Sequence, residues 1–298
     1  MNPKLRPLEE SDIPAIIDIS KTTWDGHDHL PNIIGEWMEN IHCHPYVLVQ
    51  KEEVVGVANI RIIDNGMTGW LEGLRVHEKA RNQGFAKKLT DHLFDVARQL
   101  RVERIRLVRS LESEAPQRLA DSIGMNQVYT WKVFWKDIRG VKWKLDGLLI
   151  DEIQPKDVKS RIKECPDLIA MPDNRNPYSH SILRHWDVFE TTDENIDHIG
   201  KNGSFYFGHS DTDAAFSVGG IEPASYGPEW CFTLYATSEH AFLSGLSKNL
   251  QLAQEQGCGN MMCIHQPEFT HLYESVDWLI ERNHDLALVL HERYLHQE

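Results

Sequence analysis

Residues 68–100 restrict this chain more than any other stretch, because they read as strand, turn and helix in immediate succession. Asn65-Gly66 is a strong hairpin signal, so the strand at 68–77 runs antiparallel to the Val- and Ile-rich run at 54–63. Phe85, Leu89, Leu93, Phe94, Ala97 and Leu100 then recur at helical spacing. Between them lies Arg81-Asn82-Gln83-Gly84-Phe85-Ala86, a turn whose backbone N–H groups converge on a helix N-terminus, a compact way to hold a pyrophosphate. Gly84 allows a strained backbone and close approach of a ligand, and Ala86 keeps the first helical turn small. A glycine turn that merely opens a helix is the competing reading. Local charge favours an anion: residues 75–109 hold ten Lys and Arg against four Asp and Glu, in a chain of net charge −14. Arg98 and Arg101 fit a solvated helix face equally well.

The elements around this segment complete an α+β pattern. Residues 5–8 form a short strand, Ser11 is an N-cap for a helix carrying Ile13, Ile16, Ile17 and Ile19, and Pro31 starts a second helix at its first turn. Strands at 46–50 and 54–63 are joined by Lys51-Glu52-Glu53. After the amphipathic helix come a β run at 104–109, a short helix at 115–123 closed by Gly124, and a β run at 127–135. The order is β-α-α-β-β-β-α-β-α-β, a mixed, mostly antiparallel sheet flanked by helices. The second half repeats the later part of this plan without the glycine turn: strands at 230–236, 260–265 and 286–294, a helix carrying Phe242, Leu243, Leu246, Leu250 and Ala253, and a helix at 270–283. Residues 149–176, with Pro155, Pro166 and Pro172, suit a linker and one helix. Two domains are expected, at 1–148 and 149–298.

A length of 298 residues and a hydrophobic content of 41% are enough for two ordinary cores. No apolar run follows the charged N-terminus and no window reaches the length of a membrane span, so a cytoplasmic protein without a membrane partner is expected. Five cysteines at irregular spacing, with no Cys-x-x-Cys pair, read as reduced structural thiols. The acidic balance argues against a nucleic-acid partner. Residues 1–150 hold 21 basic and 21 acidic side chains, whereas 151–298 hold 10 and 24, so all the net charge sits in the second half. His27-x-His29 and His42-Cys43-His44 raise a metal reading, but no carboxylate or cysteine set completes a ligand spacing, and no metal is expected.

The turn matches Arg/Gln-x-x-Gly-x-Gly/Ala, the signature of the GNAT N-acetyltransferases, and the element order is theirs too. Trp24-Asp25-Gly26-His27-Asp28-His29-Leu30-Pro31, with Trp37 behind it, and Leu71-Glu72-Gly73-Leu74-Arg75-Val76 further resemble the histidine N-acetyltransferase-like proteins. The likeness runs over most of the chain, including Asn260-Met261-Met262-Cys263 and Glu292-Arg293-Tyr294-Leu295. It implies a GNAT fold followed by a second, degenerate GNAT-like domain, acetyl-CoA as donor, and a small-molecule amine as acceptor, such as the α-amine of histidine. It further implies that Leu74, Arg75 and Val76 hold the pantetheine arm, that Arg81, Asn82, Gln83, Gly84, Phe85, Ala86 and Lys87 hold the pyrophosphate, and that Ser113 adds a cofactor contact. Trp24, Asp28, His29 and Glu72 fall on the acceptor side. The competing reading of that loop is a solvated turn in which Pro31 simply starts a helix.

Period-two alternation puts Glu72, Leu74 and Val76 on one face of their strand. Gly73 inside a strand indicates a bulge or a close backbone approach, and a bulge frees a backbone N–H for an acyl oxygen. Glu72 is then the expected general base, since an amine must lose its proton before it attacks. A strand carboxylate paired with an arginine is the alternative. The family's late-helix pattern Asn-x-x-Ala-x-x-Leu-Tyr supplies a tyrosine that protonates the leaving thiolate. Registered on Gly124-Met125, its positions hold Ser113, Pro116, Leu119 and Ala120 here. Tyr129, Tyr235, His265 and Tyr294 are substitutes, and water also suffices, because a thiolate is a fair leaving group. A different acceptor (peptide, polyamine or antibiotic) and a non-catalytic acetyl-CoA-binding sensor remain open.

Overall fold

The computed structural model describes residues 3–23, 28–145, 147–165, 168, 180–224, 227–279 and 285–295. Contacts divide the chain into two units that interleave along the sequence. The first comprises Met1–Leu107, Glu114–Gln127 and His291–Glu298, the second Val108–Ser113 and Val128–Leu290. This grouping differs from a sequential division at 148/149. Backbone pairing is the reason: residues 132–137 form an antiparallel ladder with 260–265, and those backbone hydrogen bonds tie them to the later half of the chain.

In the first unit β1 (Lys4–Pro7) leads through a 3-10 turn, Glu10–Asp12, into α1 (Ile13–Ser20). Ser11 is not the cap expected from sequence. Instead Asp12 takes the Glu9 N–H at 2.9 Å and a bidentate grip from Arg6 at 2.6 and 2.7 Å, so it serves the turn and the sheet edge together. Next come α2 (Leu30–Glu39, with Pro31 in its first turn), β2 (Cys43–Gln50), β3 (Glu53–Ile63), β4 (Thr68–Val76), α3 (Phe85–Gln99), β5 (Arg104–Ser110) and α4 (Glu114–Ser122). The sheet order is β1-β2-β3-β4-β5, followed by residues 291–294 of the last strand. Pairing is antiparallel from β1 to β4, and the crossover through α3 makes β4 and β5 parallel. One sheet face packs on Leu89, Leu93, Phe94 and Ala97 of α3; the other packs on Ile16, Ile34 and Trp37 of α1 and α2. These helices bury an apolar stripe and turn their polar sides to water, so burial of that stripe is what holds them.

The second unit repeats more of the plan than the sequence revealed. Strand β6 (Asn126–Asp137) enters it, followed by β7 (Asp151–Ile153), α5 (Pro155–Glu164), the hairpin β8 (Ser181–Arg184) and β9 (Asp187–Glu190), and α6 (Asp193–Asn202). Then come β10 (Ser204–His209), β11 (Ala214–Ala224), β12 (Gly227–Ala236), α7 (Glu239–Glu255), β13 (Asn260–His265) and β14 (Asp285–Tyr294). Strands β7, β10, β11, β12, β13 and β6 are neighbours in that order, with only β12–β13 parallel. Phe242, Leu246 and Leu250 of α7 pack with Phe134, Phe232, Leu234 and Met261. Over the described part of the helix expected at 270–283 the structure has 3-10 turns, Pro267–Ser275 and Asp277–Leu279, while 280–283 lie outside the described residues. Thr270, His271, Tyr273 and Ser275 are weak helix formers, which agrees with that outcome. Of the expected linker, 151–153 is strand and 155–164 helix, while Pro166 and Pro172 lie outside the described residues. No helix among the described residues is long and apolar enough to cross a membrane.

Candidate active site

The central strand β4 breaks its own alternation. Asn59 faces Glu72 and Val57 faces Arg75, so Gly73 and Leu74 together oppose the single residue Ala58. This is the bulge that Gly73 foretold. Its φ is +65°, and the Trp37 ring lies on it so closely that an added Cβ would come 2.0 Å from Cη2. Only glycine meets both conditions. The extra residue reverses the faces beyond it, which corrects the expectation that Glu72 shares a side with Leu74 and Val76. Glu72 and Arg75 point with Asn59 to the α1/α2 side, whereas Leu74 and Val76 pack with Leu71 against the α3 core.

Glu72 is held from both sides. Asn59 Nδ2 donates to Oε1 at 2.7 Å, and Arg61 donates to Oε2 from Nη2 at 3.0 Å and Nε at 3.3 Å. It is therefore an arginine-paired carboxylate, largely shielded but not sealed, with 18% of its side chain exposed. Asn59 is fully buried and, among the described residues, its Oδ1 accepts no hydrogen bond. Burial pushes the neighbouring Cys43 thiol up, an Asn59 hydrogen bond opposing the shift and the Glu72 charge adding to it. Asn59 and Arg61 were not singled out from sequence. Their signal is two polar residues, two apart, within the otherwise apolar run at 54–63.

Arg75 is turned to Asp28. Its Nε and Nη2 grip Asp28 at 2.7 and 2.8 Å, and the Leu30 N–H adds 3.1 Å to the same carboxylate. Burial alone would raise the Asp28 pKa, but the hydrogen bonds and charge of Arg75 win and hold it below the usual carboxylate range. Asp28 thus fastens the loop before α2 to the sheet. His29 stands beside it, largely exposed, with Nδ1 at 3.8 Å. Trp24 and His27 lie outside the described residues.

After β4 the chain reaches the turn before α3. Arg81 Nε donates back to the Val76 carbonyl at 3.2 Å, Asn82 has φ +61° and Gly84 φ +77°. Arg81, Asn82, Gln83, Gly84 and Lys87 are exposed, while Phe85 is buried beneath them and Ala86 is half-buried. Gly84 caps α3 without any side-chain acceptor, and nothing lies within 4 Å of where its Cβ would be. An uncapped helix N-terminus with open space in front of it fits a pyrophosphate. The β4–β5 ladder stops at Trp70↔Arg106, so from Leu71 onward that edge of β4 makes no rung with β5. The basic excess near the turn is smaller than composition implies, since Lys87 pairs with Asp91 and Arg98 with Asp95. Arg106 and Arg104 are buried instead, at 2.6 and 3.7 Å from Glu292, with Asp64 3.2 Å from Arg104.

Ser113 belongs to the second unit, where its N–H donates to the Ser110 carbonyl at 3.2 Å. Ala120, at the family's tyrosine position, is fully buried in the first core. Of the substitutes named above, Tyr129, Tyr235 and His265 lie in the second unit and Tyr294 in the first. Burial, with the Glu268 charge, pushes Tyr129 up to about 12. Burial raises Tyr235 as well, and its oxygen accepts the Leu183 N–H at 2.9 Å. His265 is hydrogen-bonded to Tyr273.

The bulged central strand and the glycine-opened helix lie within residues 13–125, which match the model of the Acetyltransferase (GNAT) family. That stretch of the chain is thus similar to the GNAT acetyltransferases. The chain is similar to histidine N-acetyltransferase of Xenopus tropicalis, 32% identical over 165 residues, which cover 53% of this chain and 43% of that protein. The aligned part is thus less than half the length of that curated relative. Among solved structures, the tandem GNAT protein from the clavulanic acid biosynthesis pathway superposes over 100% of both chains with a TM-score of 0.61 at 13% identity. The GCN5-related N-acetyltransferase from Sphaerobacter thermophilus superposes over 98% of this chain and 95% of that one with a TM-score of 0.64 at 12% identity. At such identities these two speak to the fold alone, that of a GNAT-like protein along the whole chain.

Proposed function

We propose that this protein is an acetyl-CoA-dependent N-acetyltransferase whose acceptor is a primary amine, the α-amine of a small amino acid such as histidine. The observation that carries the reading is the bulge at Gly73: it sits between an anchored carboxylate and an uncapped helix N-terminus on one continuous stretch of chain. The turn at 81–87 and the first N–H groups of α3 hold the pyrophosphate, and the backbone of Leu74 and Val76 lines the path of the pantetheine. When bound, acetyl-CoA supplies an acetyl thioester. The bulge leaves a strand N–H available to an acyl oxygen. Glu72, oriented by Asn59 and Arg61, holds the acceptor ammonium and removes its proton directly or through one water. Asp28 and Arg75 set the loop on the acceptor side. Histidine as acceptor rests on the name of the relatives that match this chain.

Thiol release from acetyl-CoA, measured against a panel of free amino acids, polyamines and peptides, tests the reading. Histidine above the hydrolysis background supports it, and release with another amine only changes the acceptor. Glu72→Gln should leave acetyl-CoA affinity unchanged and lower turnover by roughly 10² to 10⁴; unchanged turnover removes Glu72 as base. The buried Ala120 where the family has its tyrosine favours a second reading, a non-catalytic acetyl-CoA-binding protein. Binding without thiol release for every amine establishes that one.

A further inference from the structure

Asn59 is an anomaly of the first core. It lies in β3, in a run where Val55, Val57, Ala58 and Ile60 are all buried, and is itself 0% exposed. A polar side chain in such a place normally has its donor and its acceptor both matched. Here only one half is matched. Nδ2 donates to Glu72 Oε1 at 2.7 Å, whereas among the described residues no group donates to the buried Oδ1. The Cys43 thiol beside the same amide is a weak donor and does not complete it.

Rotation cannot relieve the imbalance. Turning the amide over would set Oδ1 against a carboxylate oxygen and leave Nδ2, with its N–H groups, where the carbonyl now goes unmet. Register closes the other way out, since Asn59 stands directly opposite Glu72 in the β3–β4 ladder and a side chain of one methylene has little reach to a more distant donor. On the second carboxylate oxygen Arg61 donates from Nη2 at 3.0 Å and Nε at 3.3 Å, so both ends of the Glu72 carboxylate are fixed. A residue kept for stability would be apolar here, because a valine or leucine is buried without leaving a carbonyl unmet. Glu72 could also do without the amide as a mere donor: 18% of its side chain is exposed, and water can serve Oε1. Water does not hold a carboxylate in one orientation.

Given Glu72 as the base of the reading above, we propose that Asn59 is a positioning residue for acetyl transfer, one that fixes the Glu72 carboxylate for the acceptor amine and leaves the fold less stable than an apolar residue would.

Stability and turnover should therefore move in opposite directions. Asn59→Val suits a strand, and Asn59→Leu keeps the branch point of the amide; each is followed by urea unfolding and by thiol release with the best acceptor of the amine panel. In at least one of them the urea midpoint is expected at or above that of the wild type, with acetyl-CoA affinity unchanged and turnover lower by at least about tenfold. In a Glu72→Gln background the same substitution should change turnover by less than about twofold, because a residue that acts through Glu72 has nothing left to position. A midpoint below the wild type in both variants overturns the proposal, as does an undiminished loss of turnover in the Glu72→Gln background. Wild-type turnover in both Asn59 variants, with turnover lost in Glu72→Gln, removes the positioning role and leaves the base in place. Wild-type turnover in Glu72→Gln, or no thiol release from the wild type with any amine, overturns the base and the positioning role together.

Discussion

Gly73→Ala probes the site's architecture most directly. The residue sits at φ +65°, where a side chain costs about 1–2 kcal/mol. Its new Cβ would also stand 2.0 Å from Trp37 Cη2 and 2.6 Å from Cζ2. Trp37 is only 4% exposed and cannot swing into solvent, so relief of the clash displaces packed neighbours, at about 1–3 kcal/mol. The sum is about 2–5 kcal/mol, a large part of a typical domain's stability of about 5–15 kcal/mol. With a urea m-value near 3 kcal/mol/M, the midpoint should fall by roughly 0.7–1.7 M. Urea unfolding followed by circular dichroism would be run on Gly73→Ala, Trp37→Leu and the double variant. Trp37→Leu removes the ring atoms that the methyl meets, so in that background only the backbone part, about 1–2 kcal/mol, should remain. A loss below about 0.5 kcal/mol in Gly73→Ala, or an equal loss in both backgrounds, refutes the argument that the bulge is built around the Trp37 contact.

Gly84 makes the contrasting case, because open space surrounds it. Gly84→Ala should cost only the backbone term of about 1–2 kcal/mol, yet weaken acetyl-CoA by at least about tenfold in a calorimetric titration; wild-type affinity would remove the turn from the cofactor site. Glu292→Gln leaves Arg106, with 1% of its side chain exposed, beside a neutral amide, and urea unfolding should register a loss of about 3–5 kcal/mol. A loss under about 1 kcal/mol would mean that other acceptors hold the guanidinium. Asp28 has a depressed folded pKa, so its contribution is complete above the unfolded value near 3.9 and disappears as pH falls through the folded one. Thermal melts from about pH 6 to pH 3 should therefore fall more steeply for the wild type than for Asp28→Asn, and parallel curves would deny the Arg75 clamp its role.

Much of this is legible in the sequence. The hairpin at Asn65-Gly66, the strand, the glycine turn and the α3 stripe depend on contacts between near neighbours in sequence, and period and turn chemistry record those directly. The bulge at Gly73 was legible for the same reason. Its consequence was not: alternation counted through residue 73 puts Glu72 with Leu74 and Val76, and the bulge undoes it. Composition misled in a similar way. Ten basic residues near the turn suggested an anion site, yet Arg75, Arg104 and Arg106 are spent on Asp28, Asp64 and Glu292, partners that sequence distance hides. In the second half, the hairpin β8–β9 and strands β10 and β11 escaped notice because no glycine turn or long amphipathic helix marks them.

Local chemistry in the chain was therefore enough to specify a glycine turn opening a helix, a strained glycine on a central strand and a plan of alternating elements. Which side chains meet was decided only in three dimensions. Asn59 and Arg61 reach Glu72 because two strands pair in one register. Even the division of the chain into units followed this logic: residues 128–137 and 291–298 group with partners far away in sequence, because a strand is stabilised by the backbone that completes its hydrogen bonds and not by the one that precedes it.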